Sequence, residues 1–202
     1  LGSPWYVDVA RPVDGPSCLL MAGGAALFSL GLLAGKSLLL AGTALLLAGS
    51  GIALLALLRV LTRAKYDDKR HPIITTFALI MGWLGILSYL VWLASENASA
   101  LAFSRHAGIW WFMLPILLAV CHKMIPFFSS RVLDNYTMVR PYWALYFMLA
   151  CSVLHGALEL AEQPQLLWLA DFPLFACALY FSYTWGLLRS FGIKLLAVLH
   201  VG

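Results

Sequence analysis

Apolar residues run along this chain in long uninterrupted blocks, separated by short polar segments. A helix needs about 20 predominantly apolar residues to cross a ~30 Å hydrocarbon core, and the chain offers such runs in series. They extend from Cys18 to Gly35, Leu38 to Leu58, Ile73 to Ala94, Ala107 to about Phe128, Trp143 to Leu160 and Leu166 to Leu188. Leu195 onward opens another run. The pattern predicts an all-α fold, a polytopic transmembrane bundle of six spans plus the start of a seventh.

Polar and special residues mark the joints. Only Lys36-Ser37 separates the first two runs, so residues 18–58 are expected to form a tight antiparallel hairpin. Gly31 and Gly35, spaced as G-x-x-x-G, together with Gly42 and Gly49, would let its backbones approach closely. Pro72 suits the first turn of the third helix, while Ser95-Glu96-Asn97 and Asp134-Asn135 break the runs that flank them. Residues 73–188 form a four-helix segment that contains the candidate site, and 1–202 reads as one bundle. There is no initiator Met, and the chain stops inside a fresh apolar run, so it is expected to be a piece of a longer protein.

Composition sharpens this picture. Hydrophobic residues make up 62% and charged residues 11% of the 202 positions, and mean hydropathy is +0.88, a surface that water could not cover. The net charge of +4 does not point to nucleic acid, because the basic residues sit in short clusters between apolar runs. Their distribution carries orientation instead. Arg11, Arg59, Arg63, Lys65, Lys69, Arg70, Lys123, Arg131, Arg140, Arg189 and Lys194 fall on one side, against Lys36 and Arg105 on the other. By the positive-inside tendency the richer side is cytoplasmic.

Ionisable groups inside a bilayer are costly and therefore functional suspects. By depth the histidines form two layers: His71, His122 and His200 near the cytoplasmic ends of their helices, His106 and His155 toward the outer ends. His122 can share a haem or metal site with His71 or His200, and His106 is the natural partner of His155. In Cys121-His122-Lys123-Met124-Ile125-Pro126, Pro126 lacks an amide hydrogen and frees the carbonyl of His122, which predicts a bend at a candidate ligand. The alternative is that His122 caps the helix end and Lys123 snorkels to headgroups. Glu159, four residues beyond His155, can orient its imidazole from behind, leaving the other nitrogen for iron or copper. The alternative there is a buried histidine bonded to a carbonyl or to Glu159. Asp171 reads as a water-exposed helix cap or as part of a proton path. Met113, Met124, Met138 and Met148 are gap-fillers before they are copper ligands, and the four cysteines show no metal-binding spacing.

The run His122-Lys123-Met124-Ile125-Pro126-Phe127-Phe128-Ser129-Ser130, followed by Leu188-Arg189-Ser190 and Leu196-Ala197-Val198-Leu199-His200-Val201-Gly202, resembles the later half of NnrS-type proteins. These are bacterial polytopic inner-membrane proteins, described as containing haem and copper and linked to nitric-oxide metabolism and nitrosative stress. The likeness is strongest over Ala107 to Gly202. That family commonly has Gly-Gly-Arg where this chain has Cys121-His122-Lys123, which suggests a divergent branch carrying an added histidine. The resemblance implies a haem, with copper as a second candidate, His122 and His200 as carried-over ligand positions, and nitric oxide or another small gaseous ligand as partner beside the lipid bilayer and neighbouring membrane proteins. Two further readings stand beside it: a proton- or solute-coupled transporter built on Pro115, Pro126, Glu159 and Asp171, and a structural subunit of a respiratory assembly.

Overall fold

The computed structural model describes residues 4–65 and 68–201, with side chains over 15–65 and 68–200. Arg11, counted above on the basic side, and Gly202 of the resembling run lie outside these described side chains. Helices follow one another along the chain, with no strand among the described residues. They are α1 (Pro4–Ala34), α2 (Lys36–Arg63), α3 (Arg70–Ser95), α4 (Ala98–His106), a π-helical stretch (Ala107–Met113), α5 (Leu114–Val132), α6 (Tyr142–Leu160), a 3₁₀ turn (Pro164–Leu166), α7 (Trp168–Thr184), α8 (Leu187–Ser190) and α9 (Lys194–Val201). Six segments are long and apolar enough to cross a membrane. Large apolar side chains point outward along them, with Leu33 90% and Phe172 68% exposed, the distribution expected where lipid replaces water as solvent. The protein is a multi-pass, all-α membrane protein.

The chain divides into two compact units, residues 1–112 and 113–202. In the first, α1 and α2 form the expected hairpin, but its joint is one residue rather than Lys36-Ser37. Gly35 alone turns the chain at φ 118°, a conformation that costs an L side chain dearly, and Lys36 already belongs to α2. The glycines then let the two backbones touch. A Cβ at Gly31 would lie 2.5 Å from the Leu39 amide, one at Gly24 2.8 Å from the Leu46 amide, and one at Gly42 would overlap the Phe28 backbone. Trp83 of α3 donates its indole N–H to the Leu47 carbonyl at 3.0 Å, fastening α3 to the hairpin.

Lys36, at the start of α2, and Glu96, just after α3, form an exposed ion pair at 2.9 Å. The hydrogen bond and positive charge of Lys36 hold the Glu96 carboxyl below its ordinary range. Any stability from this pair is present above the ordinary carboxyl pKa and is lost as pH falls through the depressed value.

The fourth span starts earlier than the apolar run suggests. Asn97 caps α4, its Oδ1 accepting the Ser99 and Ala100 amides at 2.9 and 3.3 Å, so helix begins at Ala98 rather than at Ala107. The helix also continues through Pro126 to Val132. In the second unit α5, α6 and α7 enclose a core of Ile125, Ala144, Met148, Phe181 and Trp185.

Replacing Gly42 by Leu forces side-chain atoms into the α1 backbone and should cost at least about 1–3 kcal/mol of hairpin stability. A Cβ at Gly23 meets nothing within 4 Å, so Gly23→Ala should be neutral or mildly stabilising. Thermal unfolding of both variants in one detergent checks this, and equal effects would refute the close approach.

Candidate functional site

The second unit gathers its polar chemistry where α7 ends. The last carbonyls of a helix have no partner within it, and in apolar surroundings each needs a donor from elsewhere. Trp185 is the C-cap of α7, and Gly186 follows it at φ 87°, the left-handed residue that commonly closes a helix. The Trp185 carbonyl accepts the Ser129 hydroxyl of α5 at 2.9 Å, and His200 Nε2 of α9 lies 3.2 Å from the same oxygen. Its indole N–H donates to the Val139 carbonyl at 3.0 Å. Its ring stacks on Phe181 with centroids 4.5 Å apart.

His122 of α5 lies beside the same indole. Its ring is fully buried, with the Tyr142, Phe181 and Trp185 rings 5.3, 5.6 and 6.2 Å away, and its Nε2 is 3.3 Å from the Pro141 carbonyl. Segment 133–141 is irregular, so its carbonyls depend on side chains. His122, Trp185 and Arg189 serve Pro141, Val139 and Asp134 in turn. The structure therefore brings His122 and His200, 78 positions apart, to one residue. Pro126 is buried in the same helix as His122, while Lys123 is exposed, as a snorkelling side chain would be.

His155 occupies a different environment. It is buried on α6, with Nδ1 2.5 Å from Asp171 Oδ1 on α7 and Nε2 3.5 Å from Glu159 Oε1 one turn along its own helix. Both ring nitrogens face carboxylates, so the nitrogen that the sequence left open for a metal is the one Asp171 occupies. Asp171 lies in the first turn of α7 but is not its cap, which is Leu167. The two carboxylates approach opposite edges of the ring and share no common point. Among the described residues there is no group of three or more His, Cys, Asp or Glu arranged to hold a metal.

The remaining two histidines belong to the first unit. His71 stands in the first turn of α3, where its carbonyl accepts the Thr75 hydroxyl, and His106 closes α4 just before the π-helical stretch. Such wide-turn insertions recur at functional positions in helices. Sequence reasoning missed Trp185, Ser129 and the partner of Asp171. The Trp185-Gly186 pair at the end of an apolar run was the available signal for the first, since it marks a helix terminus whose carbonyls need donors.

A family model described as NnrS protein matches residues 10–202, reaching through the N-terminal hairpin as well as the later helices. Comparison with curated proteins finds no match, and comparison with solved structures finds none.

Trp185→Phe keeps an aromatic ring but strips the donor from the Val139 carbonyl, and should cost about 1–3 kcal/mol. Ser129→Ala leaves His200 on the Trp185 carbonyl and should cost less, about 1 kcal/mol. Denaturation midpoints of the two variants measure this order, and a reversed order would show that the indole hydrogen bond contributes little.

Proposed function

The chain belongs to the NnrS family, and on that premise we propose that it binds haem, copper or both in the bacterial cytoplasmic membrane, with its Lys/Arg-rich loops in the cytoplasm, and serves nitric-oxide metabolism or the response to nitrosative stress. The observation that carries this reading is the meeting of His122 and His200 at Trp185.

The donor chemistry fits such a group. Imidazole suits both iron and copper, and the rings of Tyr142, Phe181 and Trp185 provide the apolar aromatic surroundings that a macrocycle prefers. His200 stands 3.3 Å by Nδ1 from the Leu196 carbonyl and 3.2 Å by Nε2 from that of Trp185. A neutral imidazole has one N–H, so it can satisfy only one of these oxygens and turns a lone pair toward the other. Ligation through that nitrogen would relieve the repulsion. The contact of His122 Nε2 with Pro141 is likewise at the long end of the hydrogen-bond range, where exchange for a metal is least costly. Bound there, haem iron would supply reversible coordination of a small gaseous ligand. His122 and His200 would hold the group, with Pro126 and Lys123 flanking the first of them. His71 and His106 in the first unit and His155 in the second stay as further candidate ligand positions, each taken by itself, and Glu159 would orient His155.

One observation favours a second reading, a proton-coupled membrane transporter. His155, seated between Glu159 and Asp171, has a carboxylate at each nitrogen, an arrangement able to take up a proton at one edge of the ring and release it at the other.

Purified full-length protein should be coloured, with a Soret band or stoichiometric copper by metal analysis, and His122→Ala and His200→Ala should each remove that signal while the protein still inserts. Absence of both haem absorbance and metal from the full-length protein would end the first reading. Proton uptake by vesicles carrying the protein, lost in His155→Gln, would establish the second.

A further inference from the structure

A cavity of about 360 Å³ opens in the second unit between segment 133–141 and the α7–α8 junction, lined by Tyr136, Tyr183, Thr184, Gly186, Leu188 and Arg189. None of these residues takes part in the proposed haem or copper site. Two of them bring unspent hydrogen-bonding capacity. The Tyr136 hydroxyl is buried and has no hydrogen-bond partner among the described residues, a costly state in a folded protein that calls for an explanation. Arg189 uses one of its five N–H donors on the Asp134 carbonyl and is otherwise exposed.

The cavity is also shaped for close approach. Gly186 forms part of its wall at φ 87°, a conformation that L side chains rarely adopt, so backbone strain keeps a side chain off that wall. Beside the polar groups stand Tyr183 and Leu188, 76% and 72% exposed, which suit an acyl chain or a membrane interface. Arg131, Arg140 and Lys194 belong to the same basic side of the chain, which adds a long-range attraction for anions.

We propose that this cavity binds a phosphate oxyanion, held by the Arg189 guanidinium and the Tyr136 hydroxyl. A guanidinium offers planar, charge-assisted donors to phosphate oxygens, and a phenolic O–H supplies a further donor without adding negative charge. Burial pushes the Tyr136 hydroxyl above its ordinary range, partly offset by the nearby Arg189 charge, so it remains a protonated donor at neutral pH. The phosphate can come from an anionic phospholipid headgroup or from a free phosphate.

Full-length protein, delipidated in a neutral detergent, separates these sources by titration with dioctanoyl-phosphatidylglycerol, with dioctanoyl-phosphatidylcholine and with inorganic phosphate, read by calorimetry. The site should prefer phosphatidylglycerol over phosphatidylcholine by at least about tenfold, and Arg189→Gln and Tyr136→Phe should each erase about tenfold of that affinity. Arg189→Gln also removes the bond to Asp134, so Tyr136→Phe, which deletes only the orphaned hydroxyl, is the decisive variant. It should raise the melting temperature of the ligand-free protein while weakening the anion. Competition by inorganic phosphate would identify a free phosphate as ligand, and phosphatidylglycerol binding that phosphate does not disturb would identify a headgroup. Equal binding of the two lipids without any binding of phosphate would overturn the proposal, as would an anion preference unchanged in Tyr136→Phe.

Discussion

The second unit depends on one constraint: backbone carbonyls that leave a helix in apolar surroundings must find donors, because no water is there to supply them. Trp185 is where that demand concentrates. Its own carbonyl takes a hydroxyl from α5 and faces an imidazole from α9, and its indole N–H returns a bond to the irregular segment before α6. Three other parts of the chain are tied to one residue in this way. The aromatic stack with Phe181 then sets the plane of the indole, and with it the direction of the N–H. Placement of His122 and His200 follows from the same need, since both imidazoles lie within reach of carbonyls at this junction.

The first unit solves a different problem by different means. Its hairpin has almost no polar glue, and lipid gives apolar side chains little reason to prefer one another. Close packing is what remains, and glycine makes it available: Gly24, Gly31 and Gly42 bring main chain against main chain, and Gly35 reverses direction in a single residue. The ion pair of Lys36 with Glu96 lies where the chain re-emerges, exposed to solvent, and adds little to this.

Much of this was legible in the sequence because length and hydropathy act over whole segments. Six apolar runs gave six spans, and the glycine spacing of the first two announced a close hairpin. Boundaries were harder. Asn97 looked like a break between runs, yet an asparagine ahead of Ala98-Ser99-Ala100 is also a helix cap, and that local hydrogen bonding extends the fourth span by nine residues. The π-helical stretch at Ala107–Met113 leaves no mark in hydropathy, since it changes the turn and not the composition. The meeting of His155 with Asp171 was hidden for another reason. The two residues are 16 positions apart on adjacent helices, and only the packing of α6 against α7 decides which faces meet.

The two buried histidines of the second unit make the final contrast. His122 is enclosed by aromatic rings, and its Nε2 lies 3.3 Å from the neutral Pro141 carbonyl. His155 has a carboxylate at each nitrogen, Asp171 at Nδ1 and Glu159 at Nε2. A metal needs an imidazole with a free lone pair and tolerates aromatic walls; a proton site needs acidic partners and some contact with water, which Asp171 has through a side chain about half exposed. Similar residues at similar burial are thus prepared for different chemistry by their neighbours. The proposed ligand chemistry therefore draws on the surroundings of His122, and the alternative proton chemistry on those of His155.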